Sequence, residues 1–134
     1  MDGNKLEVCL SPLLYEQYRN PESITVVVDV LRATSAICAA LDNGAEALIP
    51  VATVDEARSY KTRGYLVAAE RDGYILDFAD FGNSPFNFKR EVIEGKEIVY
   101  STTNGTMTVE LAGSSHMVVI GSFLNITALS QWLL

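Results

Sequence analysis

Apolar residues fall into short blocks separated by polar turns, and the periodicity inside each block predicts strands alternating with helices. Leu6, Val8 and Leu10 share one face of a predicted strand over Lys5–Leu10. Ile24–Val30 is continuously apolar until Asp29 and rich in β-branched residues, the pattern of a strand covered on both faces. Asn43-Gly44 is a common helix stop and bounds a predicted helix over Ala33–Asp42. Glu46–Val51 reads as the next strand. Thr53-Val54-Asp55-Glu56 has the capping-box pattern and opens a helix that Gly64 ends. Tyr65–Ala69 is a third core strand, and Asp72–Phe81 a loop or hairpin. Ser84-Pro85 places a cap and a first-turn proline ahead of a short helix through Val92, which Gly95 breaks. Glu97–Ser101 is a strand, Thr106–Ala112 a helix, His116–Gly121 a strand and Leu124–Leu134 a final apolar helix.

Such alternation implies an α/β fold, a mainly parallel sheet with flanking helices. The 134 residues suit one domain, and a hydrophobic share of 49% provides a core without staples. The apolar end, Trp132-Leu133-Leu134, leads us to expect either docking on a partner or a domain truncated at its C-terminal side. No block approaches the roughly 20 residues of a membrane span, and Met-Asp-Gly-Asn-Lys is not a signal-peptide start. The expectation is a cytoplasmic protein without membrane association. A net charge of −7 from scattered acidic residues repels a phosphate backbone, so nucleic acid is not an expected partner. A small anion can still be held by local donors. Cys9 and Cys38 lie in apolar surroundings without Cys-x-x-Cys spacing, and are expected to be buried, inert thiols. Walker, Rossmann and serine-elbow motifs are absent.

In an open parallel sheet, ligands bind beyond the carboxyl ends of the strands. Four predicted strands end in polar residues: Asp29 through Ser35, Glu70-Arg71-Asp72-Gly73, Thr102-Thr103-Asn104-Gly105-Thr106, and Ser122 through Asn125. The second strand runs only into Pro50-Val51-Ala52 and a helix cap, so its end is expected outside the site. Thr34-Ser35 and Thr102–Thr106 enter helices, whose free N–H groups favour an anion, and Gly105 lets backbone approach a ligand. Arg32 and Arg71 offer planar forks to phosphate or sulfonate oxygens. Asp29, Glu70 and Asp80 are hard oxygen donors suited to Mg²⁺. Thr34, Ser35 and Ser84 read equally as helix caps, Glu70-Arg71 as a surface pair and Asn104-Gly105 as a turn. Asp29 inside an apolar strand must be paired, hydrogen-bonded or metal-bound. His116 opens its strand at the opposite rim and is expected to be structural, and Asp77 is expected in a solvated loop.

Asp29-Val30-Leu31-Arg32-Ala33-Thr34-Ser35, Glu70-Arg71, Gly82-Asn83-Ser84-Pro85, Thr102-Thr103-Asn104-Gly105-Thr106 and Gly121-Ser122-Phe123-Leu124-Asn125 together resemble the 2-phosphosulfolactate phosphatase family. The resemblance implies that family's α/β fold and a Mg²⁺-dependent phosphatase acting on 2-phospho-3-sulfolactate, a small anionic phosphate ester, on the way to coenzyme M. It also implies self-association into a homo-oligomer. Carried onto matching positions, it makes Asp29, Arg32, Glu70 and Arg71 catalytic candidates. Thr34, Ser35, Asn83, Ser84, Thr103, Asn104, Gly105 and Asn125 become substrate-binding candidates, and Asp29, Glu70 and Asp80 metal ligands. Departures stand at Ala68-Ala69, where the family usually has glycines, at Phe78-Ala79 before Asp80, and at Met107, where it often has arginine. Family members are also longer. The alternative expectation is therefore a non-catalytic anion-binding or interaction domain, or an inactive piece of a phosphatase.

Overall fold

The computed structural model describes residues 5–103 and 105–134. Its elements follow the order β1 (Ile24–Val28), α1 (Ala33–Asp42), β2 (Ala47–Pro50), α2 (Val54–Thr62), β3 (Leu66–Arg71), β4 (Tyr74–Ile75), α3 (Arg90–Ile93), β5 (Glu97–Ser101), α4 (Gly105–Ala112), β6 (Met117–Gly121) and α5 (Ile126–Leu133). Short 3₁₀ turns occupy Pro12–Gln17 and Pro85–Asn87. The strands form two hydrogen-bonded sheets instead of the single one expected. β2, β5 and β3 are parallel, with β4 antiparallel at the edge in the order β2-β5-β3-β4, and β1 pairs only with β6, also in parallel. The fold is therefore α/β with flanking helices, as the alternation implied.

The central sheet holds the core because β3 and β5 alternate with period two. Ala68, Ile98 and Tyr100 face Ala33, Ala36 and Ala40 of α1, with Phe88 and Ile93. Val67, Ala69 and Val99 face the other way, toward Val51, Ala57 of α2 and Tyr60. Thr53 caps α2, its hydroxyl accepting the Glu56 N–H at 3.1 Å. Helix α1 touches both β2 and β6 and so joins the two sheets, while α4 lies between β1 and β5. Gly121 gives α5 a seat on β6: a Cβ there would stand 3.2 Å from Leu129 Cδ2 and 2.9 Å from Val26 Cγ1.

Three expectations change. Lys5–Leu10 forms no strand, and Leu6 and Leu10 are exposed, because no neighbouring strand takes up their backbone bonds. The helix expected from Ser84 to Val92 splits into the 85–87 turn and α3, with no side-chain cap from Ser84. Residues 72–81 contain a hairpin, one of the two forms expected there. Asp72 (φ 52°) and Gly73 (φ 85°) form the two-residue loop between Arg71 and its partner Tyr74, the left-handed pair that an Asp-Gly sequence favours. Both thiols are half-buried, not fully buried as expected. Among the described residues no helix is long and apolar enough to cross a membrane.

Candidate functional site

The carboxyl ends of β1, β3 and β5 open onto one cavity of about 250 Å³. Asp29, Leu31 and Arg32 line it from the β1–α1 loop. Glu70, Asp72 and Gly73 come from the β3 end and its turn, Asn83 from the following segment, and Thr102, Thr103 and Gly105 from the β5–α4 loop. The end of β2 lies outside, as expected; Pro50, Val51 and Ala52 line a separate hollow with Glu56 and Glu110.

Glu70 is buried at the junction and braces two loops. Its Oε1 accepts the Thr103 N–H at 2.9 Å and its Oε2 the Gly73 N–H at 2.8 Å. Thr103 Oγ1 closes the ring by accepting the Asp72 N–H at 2.9 Å. On the other wall, Thr34 Oγ1 accepts the Asp29 N–H at 3.0 Å, the Thr34 N–H donates to Asp29 O at 2.9 Å, and Ser35 Oγ donates to Val30 O at 2.8 Å. Thr34 and Ser35 are buried and shape the β1–α1 loop from behind instead of facing the cavity. Thr102 Oγ1 accepts the Gly105 N–H at 3.0 Å. At Gly105 α4 packs closely on the start of α1: a Cβ would meet Ala33 Cβ at 2.7 Å and Thr102 Oγ1 at 2.8 Å.

Several polar groups at the cavity remain uncommitted. Among the described residues the Asp29 carboxylate has no ion pair or hydrogen-bond partner, and neither does the Arg32 guanidinium. Asn83 is buried at the wall with its Oδ1 sealed from solvent and unpartnered. Beneath the floor lies Tyr100, whose hydroxyl donates to Ala33 O at 3.3 Å. Its burial raises the phenol pKa well above the ordinary value, the charges of Asp29 and Glu70 add to this, and Arg32 opposes it.

Several expected site residues stand elsewhere. Arg71 does not line the cavity: its Nη1 donates to Glu70 O at 2.6 Å and Ser101 O at 3.2 Å, its Nη2 to Ser101 Oγ at 2.9 Å. Asp80 points toward the amino end of β3, where Oδ2 accepts the Val67 N–H at 2.9 Å and Oδ1 pairs with Lys61 Nζ at 2.6 Å. The metal set Asp29, Glu70 and Asp80 therefore does not assemble; among the described residues no three acidic, histidine or cysteine side chains group to hold an ion. Asn125 clasps its own loop, accepting from Ser122 N and donating to Ile120 O, both at 2.9 Å. Ser84 begins the 85–87 turn outside the cavity lining. Asn104 falls outside the described residues. His116 is exposed at the amino end of β6, and Asp77 pairs with Arg58 on the surface. Two polar lining residues lay outside the candidate set: Asp72, hidden in sequence by its turn signal, and Thr102, whose hydroxyl accepts the Gly105 N–H.

Three carboxylates against one guanidinium leave the lining with an excess of negative charge. An anionic ligand would be repelled there without a cation to offset it. Asp29 and Asp72, with no hydrogen-bonded partner on their carboxylates, supply donors of the type hydrated Mg²⁺ takes, one or two carboxylates with several waters.

Comparison with known proteins identifies the family. The family model described as 2-phosphosulpholactate phosphatase matches residues 9–134. A protein of Clostridium perfringens strain SM101 named "Probable 2-phosphosulfolactate phosphatase" is 40% identical over 96% of this chain and 55% of its own length. One of the same name from Thermotoga petrophila is 45% identical over 81% of this chain and 47% of its own. A third, from Clostridium acetobutylicum, is 34% identical over 95% and 55%. The chain spans about half the length of these curated relatives. On the match and the residues that carry it, the chain belongs to the 2-phosphosulfolactate phosphatase family.

Proposed function

We propose that the cavity at the ends of β1, β3 and β5 is the phosphate-ester site of a Mg²⁺-dependent phosphatase, with 2-phospho-3-sulfolactate as substrate in a step toward coenzyme M. The observation that carries this is the convergence of unpaired Asp29 and Arg32 with the start of α4 at Gly105 on one polar cavity. The names of the relatives support the substrate.

Arg32 binds phosphoryl or sulfonate oxygens through its fork, and the N-terminal end of α4, which opens on the cavity at Gly105, adds a favourable dipole. Asp29 and Asp72 would hold Mg²⁺, whose chemistry there is to offset charge on the phosphoryl oxygens. Glu70 has both oxygens committed to N–H groups, so its role is to keep the two loops in place. Asp29 carries the attacking step: its carboxylate either attacks phosphorus and displaces the ester's alkoxide, water then hydrolysing the acyl phosphate, or takes the proton of a water that attacks phosphorus as the alkoxide leaves. Asn83 Nδ2, the donor side of that amide, makes no hydrogen bond among the described residues and donates to the bound ester.

The test is inorganic phosphate release from 2-phosphosulfolactate by the full-length protein. Release is expected to require Mg²⁺ and to fall by about 10²-fold or more in Asp29→Asn. No release across a panel of phosphate monoesters would overturn the reading.

A further inference from the structure

We propose that the apolar face of β1, β6 and α5 is the seat of a covering layer, formed by the kind of polypeptide that makes up the unmatched half of the curated relatives. Parallel strands are stable when both faces are covered, and a lone pair of strands is too small to stand alone. β3 and β5 meet that condition and β1 and β6 do not. Val28 is 62% exposed, Met117 41% and Trp132 54%, and α5 contains no buried residue although most of it is apolar. Each strand of this pair also keeps one edge free of any ladder bond. A contiguous apolar surface of this kind marks an interface.

The face runs to the cavity mouth. Val28 pairs with Gly121, so Asp29 and Ser122 are neighbours at the same rim, and Leu31 and Phe123 project beside them, 89% and 73% exposed. A layer on this face would close that side of the cavity and hold Asp29 in register with Glu70.

The occupant follows from length. The family model matches residues 9–134, which include β1, β6 and α5, and the Clostridium perfringens relative matches 96% of this chain with only 55% of its own sequence. Its remaining polypeptide is covalently joined to the matched stretch, which gives it an effective concentration of about millimolar at this face that a second copy does not reach.

Hydrogen exchange tests this without relying on catalysis. One sample is the 134-residue chain; the other is the Clostridium perfringens relative with its matched stretch replaced by this chain. In the chain alone, amides of β1, β6 and α5 are expected to exchange about 100-fold faster than those of β3 and β5, and in the chimera within about 10-fold of them. Unchanged exchange in β1, β6 and α5 overturns the proposal. So does a stable dimer of the chain alone in which this face is already protected, since the occupant is then a second copy. If the chimera does not fold, the intact relative is read instead, and fast exchange in its aligned segments overturns the proposal equally.

Discussion

Replacing Asn83 by alanine is expected to make the protein more stable and its ligand binding weaker. Asn83 is only 8% exposed and its Oδ1 is sealed without a partner. A buried acceptor left unsatisfied costs about 1–3 kcal/mol, which the substitution recovers. Part is given back as lost packing of the amide, offset in turn because the vacated space opens on the cavity and admits water. The net expectation is a gain of about 1 kcal/mol, or roughly 3–4 °C in Tm for a domain of this size. An ordinary buried, hydrogen-bonded asparagine behaves oppositely and loses about 1–3 kcal/mol. Binding is expected to weaken by about 10–100-fold, the worth of one hydrogen bond from the Asn83 Nδ2–H to a charged phosphate oxygen. Calorimetry gives the first quantity, and titration with inorganic phosphate in the presence of Mg²⁺ the second. A drop in Tm of several degrees would show that the amide serves the fold, and unchanged binding that it does not serve the ligand.

Gly105→Ala forces a Cβ to within 2.7 Å of Ala33 Cβ, and such overpacking is expected to cost about 1–3 kcal/mol in denaturant unfolding. Glu70→Gln replaces an acceptor that holds either Gly73 or Thr103 with a donor facing a donor, for a loss of about 3 kcal/mol by the same measurement. Tyr100 stays neutral in the folded protein well past the pH at which an unfolded tyrosine ionises, about 10. Its contribution is therefore intact below that pH and is lost as pH rises above it, by up to about 1.4 kcal/mol per unit. Tyr100→Phe should flatten that alkaline decline when stability is followed from pH 9 to 11, and an unchanged slope would refute the assignment.

The local elements were legible where the signals are local. Helix α1 ends as Asn43-Gly44 indicates, and Thr53 caps α2 as its pattern implies. The division into two sheets was not legible, because which strands pair is a long-range matter that periodicity does not encode. Asp80 shows the same limit at the site. Residues 76–81 fold back along β3, with Phe81 bridged to Ala68, so its carboxylate lands at the strand's amino end instead of the rim. Thr34 and Ser35 carried two readings in sequence, and the geometry selects loop bracing. Asp29, Arg32, Glu70, Asn83, Thr103 and Gly105 line the cavity because each follows a strand end or comes close to one.

The central claim is that this cavity, and no other surface of the described residues, receives phosphate together with a divalent cation. Amide chemical shifts of the isotopically labelled chain during titration with inorganic phosphate and Mg²⁺ test it most directly. The account predicts saturable shifts at Leu31, Gly73, Thr103 and Gly105, with Ala52 and Val109 of the neighbouring hollow unmoved. Shifts confined to that hollow, or none at millimolar phosphate, would contradict it.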